Sequence, residues 1–214
     1  MSKYFYLTTL LPLIGFLING MFGKKINNEK ISGTISSLLV FIPFLIGVGT
    51  LFELMGMPAD QRKIVLNYFS WIATGNLNLT YSYYIDPLSI SLFLIVTGIG
   101  FLIHVYSIGY MHGDKGFAKF FCFLNLFIFA MLNLILGDSF LVIFLGWEGV
   151  GLASYLLICF WYEKKFTGDA AKKAFVMNRI GDFGFMTAMF MIFANFGTLN
   201  IQEFLGKIGG MGIN

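Results

Sequence analysis

The stretch Gly146-Trp147-Glu148-Gly149-Val150-Gly151-Leu152-Ala153-Ser154-Tyr155-Leu156-Leu157 decides how this chain is read. It lies inside an apolar run over residues 140–161, and about 20 helical residues cross the ~30 Å hydrocarbon core of a bilayer. Counted from Phe140, Glu148 falls roughly 12 Å along such a helix at ~1.5 Å per residue, close to the midplane. A carboxylate at that depth costs about 2.5–3.5 kcal/mol on insertion scales, so it needs a partner or a task.

The rest of the chain agrees with a membrane reading. Of its 214 residues 57% are hydrophobic and 12% charged, against about 25% charged in ordinary globular domains. The formal charge of +3 is what loop lysines between spans supply, so it calls for no nucleic acid partner. Runs over 4–22, 34–54, 87–110, 117–136, 140–161 and 174–196 are each span-like in length. The expected fold class is therefore all-α, a polytopic transmembrane helix bundle of about six spans in the lipid bilayer. Cys122 and Cys159 sit in apolar runs without ligand spacing and read as small buried apolar groups. The first run is too long and aromatic for a signal peptide and is expected to stay as a span.

Lysines orient the bundle. Lys24, Lys25, Lys30, Lys115, Lys119, Lys164, Lys165, Lys172 and Lys173 fall on one side, and Lys3, Arg62, Lys63 and Lys207 on the other. The positive-inside rule then places the N-terminus outside. The outer loop between spans two and three, residues 56–86, is expected to hold a small β-hairpin. Leu77, Leu79, Tyr81 and Tyr83 alternate with polar residues, Gly75-Asn76 supplies a turn, and 64–72 is the partner strand. Tyr68, Phe69, Trp71, Tyr83 and Tyr84 are expected to form an interfacial aromatic belt. Gly137-Asp138 leaves almost no loop between spans four and five. They must pack as an antiparallel hairpin, with Asp138 or Ser139 capping the fifth.

Intramembrane acids mark ion pathways, so Glu148 is the expected proton carrier. Gly146, Gly149 and Ala153 form a small-residue stripe for close helix contact. On the sixth span Lys172, Arg179 and Asp182 lie near one face, and Arg179–Asp182 reads either as part of a polar pathway or as a local i,i+3 ion pair. His104, late in the third span, and Lys173 are weaker candidates. No nucleophile–base pair, metal spacing, dinucleotide fingerprint or haem motif is present in the sequence.

At these residues the sequence resembles a known family. Residues 145–158, Leu-Gly-Trp-Glu-Gly-Val-Gly-Leu-Ala-Ser-Tyr-Leu-Leu-Ile, resemble the fifth-helix signature of NADH–quinone oxidoreductase subunit L, chain 5 of respiratory complex I. Residues 173–182, Lys-Ala-Phe-Val-Met-Asn-Arg-Ile-Gly-Asp, resemble its sixth-helix signature, and 105–111 the end of its third helix. Large subunits of cation/proton antiporters are similar, but more often show Trp-Glu-Leu-Thr-Ser where this chain has Trp147-Glu148-Gly149-Val150-Gly151. The resemblance implies that 1–214 is the N-terminal part of an antiporter-like proton-translocating subunit. In it 56–86 is the outer loop and 87–214 begins the translocation module. It also implies that Glu148 pairs with a lysine on a seventh helix, which lies beyond this sequence, so that this chain alone should not conduct. NADH, FMN, iron–sulfur clusters and quinone are implied in other subunits and none in this chain. The implied partners are the other membrane subunits of complex I and the missing C-terminal helices. The implied setting is a bacterial inner membrane.

Overall fold

The computed structural model describes residues 2–26, 28–75 and 77–210. All six stretches expected to be spans are helical: α1 (Leu7–Ile26), α2 (Glu29–Met55), α3 (Pro87–Tyr110), α4 (Phe117–Leu136), α5 (Phe140–Ile158) and α6 (Lys165–Phe196). Of these, α2 to α5 are long and apolar enough to cross a membrane, and the apolar part of α1, Leu7–Gly23, is shorter. The chain is thus an all-α membrane protein with one small sheet.

Local chemistry sets the helix ends. The Asn28 side chain caps α2, and Ser139 caps α5 by accepting from the Val142 amide at 3.3 Å. Asp86 and Ser89 form a reciprocal capping box on α3, with Pro87 at its first position. Each such cap contributes about 1 kcal/mol. Several boundaries differ from the sequence reading, α6 and the stretch after it most of all. Helix α6 begins at Lys165 rather than near 174, with an extra polar segment of about two and a half turns whose start is fastened by the Thr167 hydroxyl, which donates to the carbonyls of Lys164 (2.7 Å) and Trp161 (2.8 Å). A further helix, α7 (Ile201–Gly210), follows α6. It is ten residues long, far short of a span, and its Lys207 ammonium donates to the Phe196 carbonyl.

The expected hairpin is present as β1 (Ile64–Thr74) and β2 (Leu77–Ile85), antiparallel, with register shifts between Asn67 and Phe69 and between Ser70 and Ile72. Gly75 has φ +55°, a value glycine adopts without strain, while Asn76 lies outside the described residues. The hairpin closes one end of the bundle. Tyr83 and Ile85 are buried with Phe5, Val40, Phe93 and Leu132 in the main core. Tyr83 is therefore a core residue and not a belt residue. The reason is a polar anchor, since the Tyr83 hydroxyl donates to Asn133 Oδ1 at 2.8 Å and the Tyr81 hydroxyl donates to the same atom. Tyr68 packs against the same core, while Phe69 and Trp71 are exposed.

Helices α4 and α5 form the tightest pair. A Cβ at Gly146 would lie 2.7 Å from Leu134 Cα and 2.9 Å from the Ala130 carbonyl oxygen, and one at Gly149 would lie 2.8 Å from Ala130 Cβ. The small-residue stripe is thus the α4 contact.

Asp138, in the turn between them, ties three elements together. Its amide donates to the Ser82 carbonyl, and its Oδ2 accepts from Ser82 Oγ (3.2 Å) and Asn200 Nδ2 (2.9 Å). Its carbonyl accepts from the Ile201 amide. Burial pushes the Asp138 carboxyl above its ordinary value, against the smaller pull of the Asn200 and Ser82 hydrogen bonds. A carboxyl raised in the folded state favours folding most below its unfolded pKa, and that advantage is lost as pH rises through the folded one. The junction should accordingly loosen as pH rises from the ordinary carboxyl value through the raised one. Amide exchange at Ile201, corrected for its intrinsic rate, should show this slope, and Asp138→Asn should flatten it.

Candidate functional site

The antiparallel packing of α5 on α6 has a readable register. Phe144 stacks on Phe185 with centroids 5.4 Å apart at one end, and Tyr155 meets Phe175 at 5.5 Å at the other. Between these aromatic layers, Glu148 and Trp147 of α5 face Arg179 and Asp182 of α6. Gly151 leaves room for Asn178, whose Nδ2 would lie 3.4 Å from a Cβ there.

At the centre one guanidinium serves two carboxylates. Arg179 Nη1 contacts Glu148 through an ion pair and lies 3.4 Å from Asp182 Oδ2. Asp182 is buried, its side chain 4% exposed, and its other oxygen accepts from Trp147 Nε1 at 2.7 Å. Glu148 is more open, at 23%. The Arg179 guanidinium also lies over the Phe175 ring, 4.5 Å from its centroid, a cation–π contact that holds it in place. The i,i+3 ion pair of Arg179 and Asp182 is present, and Arg179 also reaches across to Glu148. Trp147 and Phe175 were missed as parts of the site. The i,i+4 spacing of Phe175 and Arg179 is a signal that was there to find.

Charge arithmetic gives the cluster its chemistry. With all three groups ionised it carries one excess negative charge. One proton on a carboxylate, or one added cation, completes it. The planar, five-donor guanidinium can remain bonded to either acid while the other changes state.

The remaining candidates lie elsewhere. His104 is buried on α3, with Nδ1 2.7 Å from the Gly100 carbonyl and its ring 6.0 Å from that of Phe121, and it does not reach the cluster. Lys173 is exposed on α6 and makes no described contact with Glu148. Lys207 of α7 is bound to the Phe196 carbonyl and does not supply a partner for Glu148. Among the described residues no group of three His, Cys, Asp or Glu could hold a metal ion.

Two family descriptions match the chain. "NADH-Ubiquinone oxidoreductase (complex I), chain 5 N-terminus" matches residues 71–121, and "NADH:quinone oxidoreductase/Mrp antiporter, TM" matches residues 137–213. Among curated proteins, the chain is 41% identical over 199 residues to NADH-quinone oxidoreductase subunit L of Pseudomonas aeruginosa, covering 93% of this chain and 32% of that one. It is 42% identical over 199 residues to subunit L of Mycobacterium tuberculosis, covering 93% and 31%. To subunit L of Escherichia coli it is 39% identical over 201 residues, covering 92% and 32%. The chain thus spans about a third of the length of these relatives. Among solved structures, a chain of the membrane-bound sulfane sulfur reductase, an archaeal respiratory membrane complex, superposes with TM-score 0.80 at 17% identity, covering 94% of this chain and 39% of that one. A chain of the Mrp complex from Dietzia sp. DQ12-45-1b gives TM-score 0.71 at 23% identity, covering 92% and 20%. These two likenesses concern the fold.

Proposed function

Because the chain belongs to the family of NADH–quinone oxidoreductase subunit L and its antiporter-like relatives, we propose that it is the N-terminal part of a proton-translocating membrane subunit of complex I. In this reading Glu148 is the proton carrier, and Arg179 and Asp182 hold its proton and couple it to the rest of the subunit. The observation that carries it is the single guanidinium shared by two carboxylates at mid-span.

The chemistry follows from the charges. A proton on Glu148 leaves a neutral Arg179–Asp182 pair, with Asp182 still fixed by Trp147. When the proton leaves, Arg179 again compensates Glu148, and the cluster returns to one excess negative charge. That excess is what a cationic side chain from a neighbouring helix would answer, as the family resemblance implies for a lysine beyond these residues. Separating such a pair favours proton uptake by the acid and release by the amine. Redox chemistry, with NADH, FMN, iron–sulfur clusters and quinone, belongs in this reading to other subunits. Its setting is a bacterial inner membrane, with the lysine-rich loops in the cytoplasm and the N-terminus outside.

Energised vesicles test the assignment to a respiratory complex. Inverted vesicles containing the assembled subunit should acidify on NADH addition, with acidification blocked by removing quinone-reducing activity. A sodium gradient without NADH should not acidify them. The reverse pattern would assign the chain to a cation/proton antiporter.

A further inference from the structure

Two acids share one guanidinium, and a single proton completes the cluster, so something must decide which acid receives it. Burial alone would place it on Asp182, which is 4% exposed against 23% for Glu148, because an enclosed acid is easier to keep neutral than charged. The guanidinium points the same way. Arg179 Nη1 contacts both Glu148 oxygens and lies 3.4 Å from Asp182 Oδ2, and a cation favours the ionised form of the acid it is nearer.

The Trp147 indole opposes both. Its Nε1–H donates to Asp182 Oδ1 at 2.7 Å, and an indole has a hydrogen to give and no lone pair to offer. Oδ1 is thereby held as an acceptor, since a proton placed on it would point at another N–H. Oδ2 faces the guanidinium, which is also a donor only. Asp182 therefore has a full set of partners only as a carboxylate. Glu148 is served less well. Its two oxygens and Asp182 Oδ2 all turn to Nη1, which carries two hydrogens, and Glu148 has no second donor among the described residues. Neighbours on a helix point about 100° apart, so Trp147 and Glu148 straddle α6, one meeting Asp182 and the other Arg179.

No other charge intrudes. Helix α5 has no charged residue besides Glu148, α6 has only Arg179 between Lys173 and Asp182, and α4 has none after Lys119. Tyr155, the other titratable group of α5, lies against Phe175. We propose that Trp147 is a positioning residue that holds Asp182 as a carboxylate and so directs the proton of the cluster to Glu148. This rests on the reading of Glu148 as the proton carrier. Without the indole N–H, the proton passes to Asp182, the more enclosed acid.

Infrared difference spectra of the chain in lipid bilayers, followed through a pH titration, test this. Isotopic labelling of either the glutamate or the aspartate carboxyl carbons tells the two acids apart. Trp147 is 44% exposed, so Trp147→Phe chiefly removes the donor. The Trp147→Phe minus wild-type spectrum should lose a glutamic and gain an aspartic carboxylic-acid band. The proton ratio should move toward Asp182 by about tenfold to a hundredfold, the worth of one hydrogen bond to a charged acceptor. No such exchange of bands would overturn the proposal and leave Glu148 as carrier. Loss of an aspartic instead of a glutamic band between wild type and Glu148→Gln would overturn the reading on which it rests. If Trp147→Phe does not fold, the wild type decides. The NMR signal of the Trp147 indole N–H should hold its position while the cluster takes up its proton, and a signal that moves with that step would place the proton on Asp182 and overturn the proposal.

Discussion

Gly146→Ala is expected to destabilise the protein by about 3 kcal/mol or more, although alanine is the better helix former by about 1 kcal/mol. The added methyl meets main chain, with Leu134 Cα at 2.7 Å and the Ala130 carbonyl oxygen at 2.9 Å. A clashing side chain can rotate away; a helix backbone cannot, so α4 and α5 must separate. Their connection, the turn at Gly137 and Asp138, is pinned to Ser82 and Ile201 and leaves little slack. At Gly181 on α6 a Cβ would meet nothing within 4 Å, so Gly181→Ala should be neutral or slightly stabilising. The melting temperature in detergent should therefore fall for Gly146→Ala and hold or rise slightly for Gly181→Ala. Equal melting temperatures would mean that the α4–α5 contact is looser than described.

The second large effect is expected from Arg179→Met. It leaves Asp182, 4% exposed, with only the Trp147 indole as a described partner, and it strips Glu148 of its cation. Removing one member of a fully buried pair costs about 3–5 kcal/mol. The Arg179 side chain is 43% exposed, so solvent screening reduces the expected loss to about 1–3 kcal/mol. Proton translocation should fall with it. Adding Glu148→Gln to Arg179→Met should recover part of the stability, because one stranded anion is gone, without restoring transport. A double-mutant cycle on unfolding measures this coupling. Strict additivity would show that the two side chains do not depend on each other.

Much of this fold was legible because the membrane restricts the choices. Long apolar runs admit only helices. The Asp86-Pro87 start, the Ser139 cap and the two-residue turn before it are local chemistry that a sequence displays. The hairpin was visible in the alternation from Leu77 to Tyr83. What escaped was whatever depends on neighbours. Tyr83 resembles the other outer-loop aromatics in sequence, and only Asn133 on α4 draws it into the core. Helical spacing placed Arg179 near Asp182, and it could not say that α5 would lie in the register that sets Glu148 against both. That register is fixed by Phe144 on Phe185 and Tyr155 against Phe175, pairs that no single-helix pattern reveals. Trp147 was hidden for the same reason, since its indole acts on a residue 35 positions away.

The central claim is that Glu148 carries the proton within the Arg179–Asp182 cluster. The most direct measurement is the ratio of protons translocated to NADH oxidised in sealed vesicles containing the assembled subunit, comparing the wild type with Glu148→Gln and Glu148→Asp. Glutamine matches the shape of the acid but cannot bind and release a proton. The account predicts a lowered ratio for Glu148→Gln with NADH–quinone electron transfer largely kept, and partial recovery for Glu148→Asp. A wild-type ratio in the glutamine variant would contradict it and leave the cluster a structural ion pair.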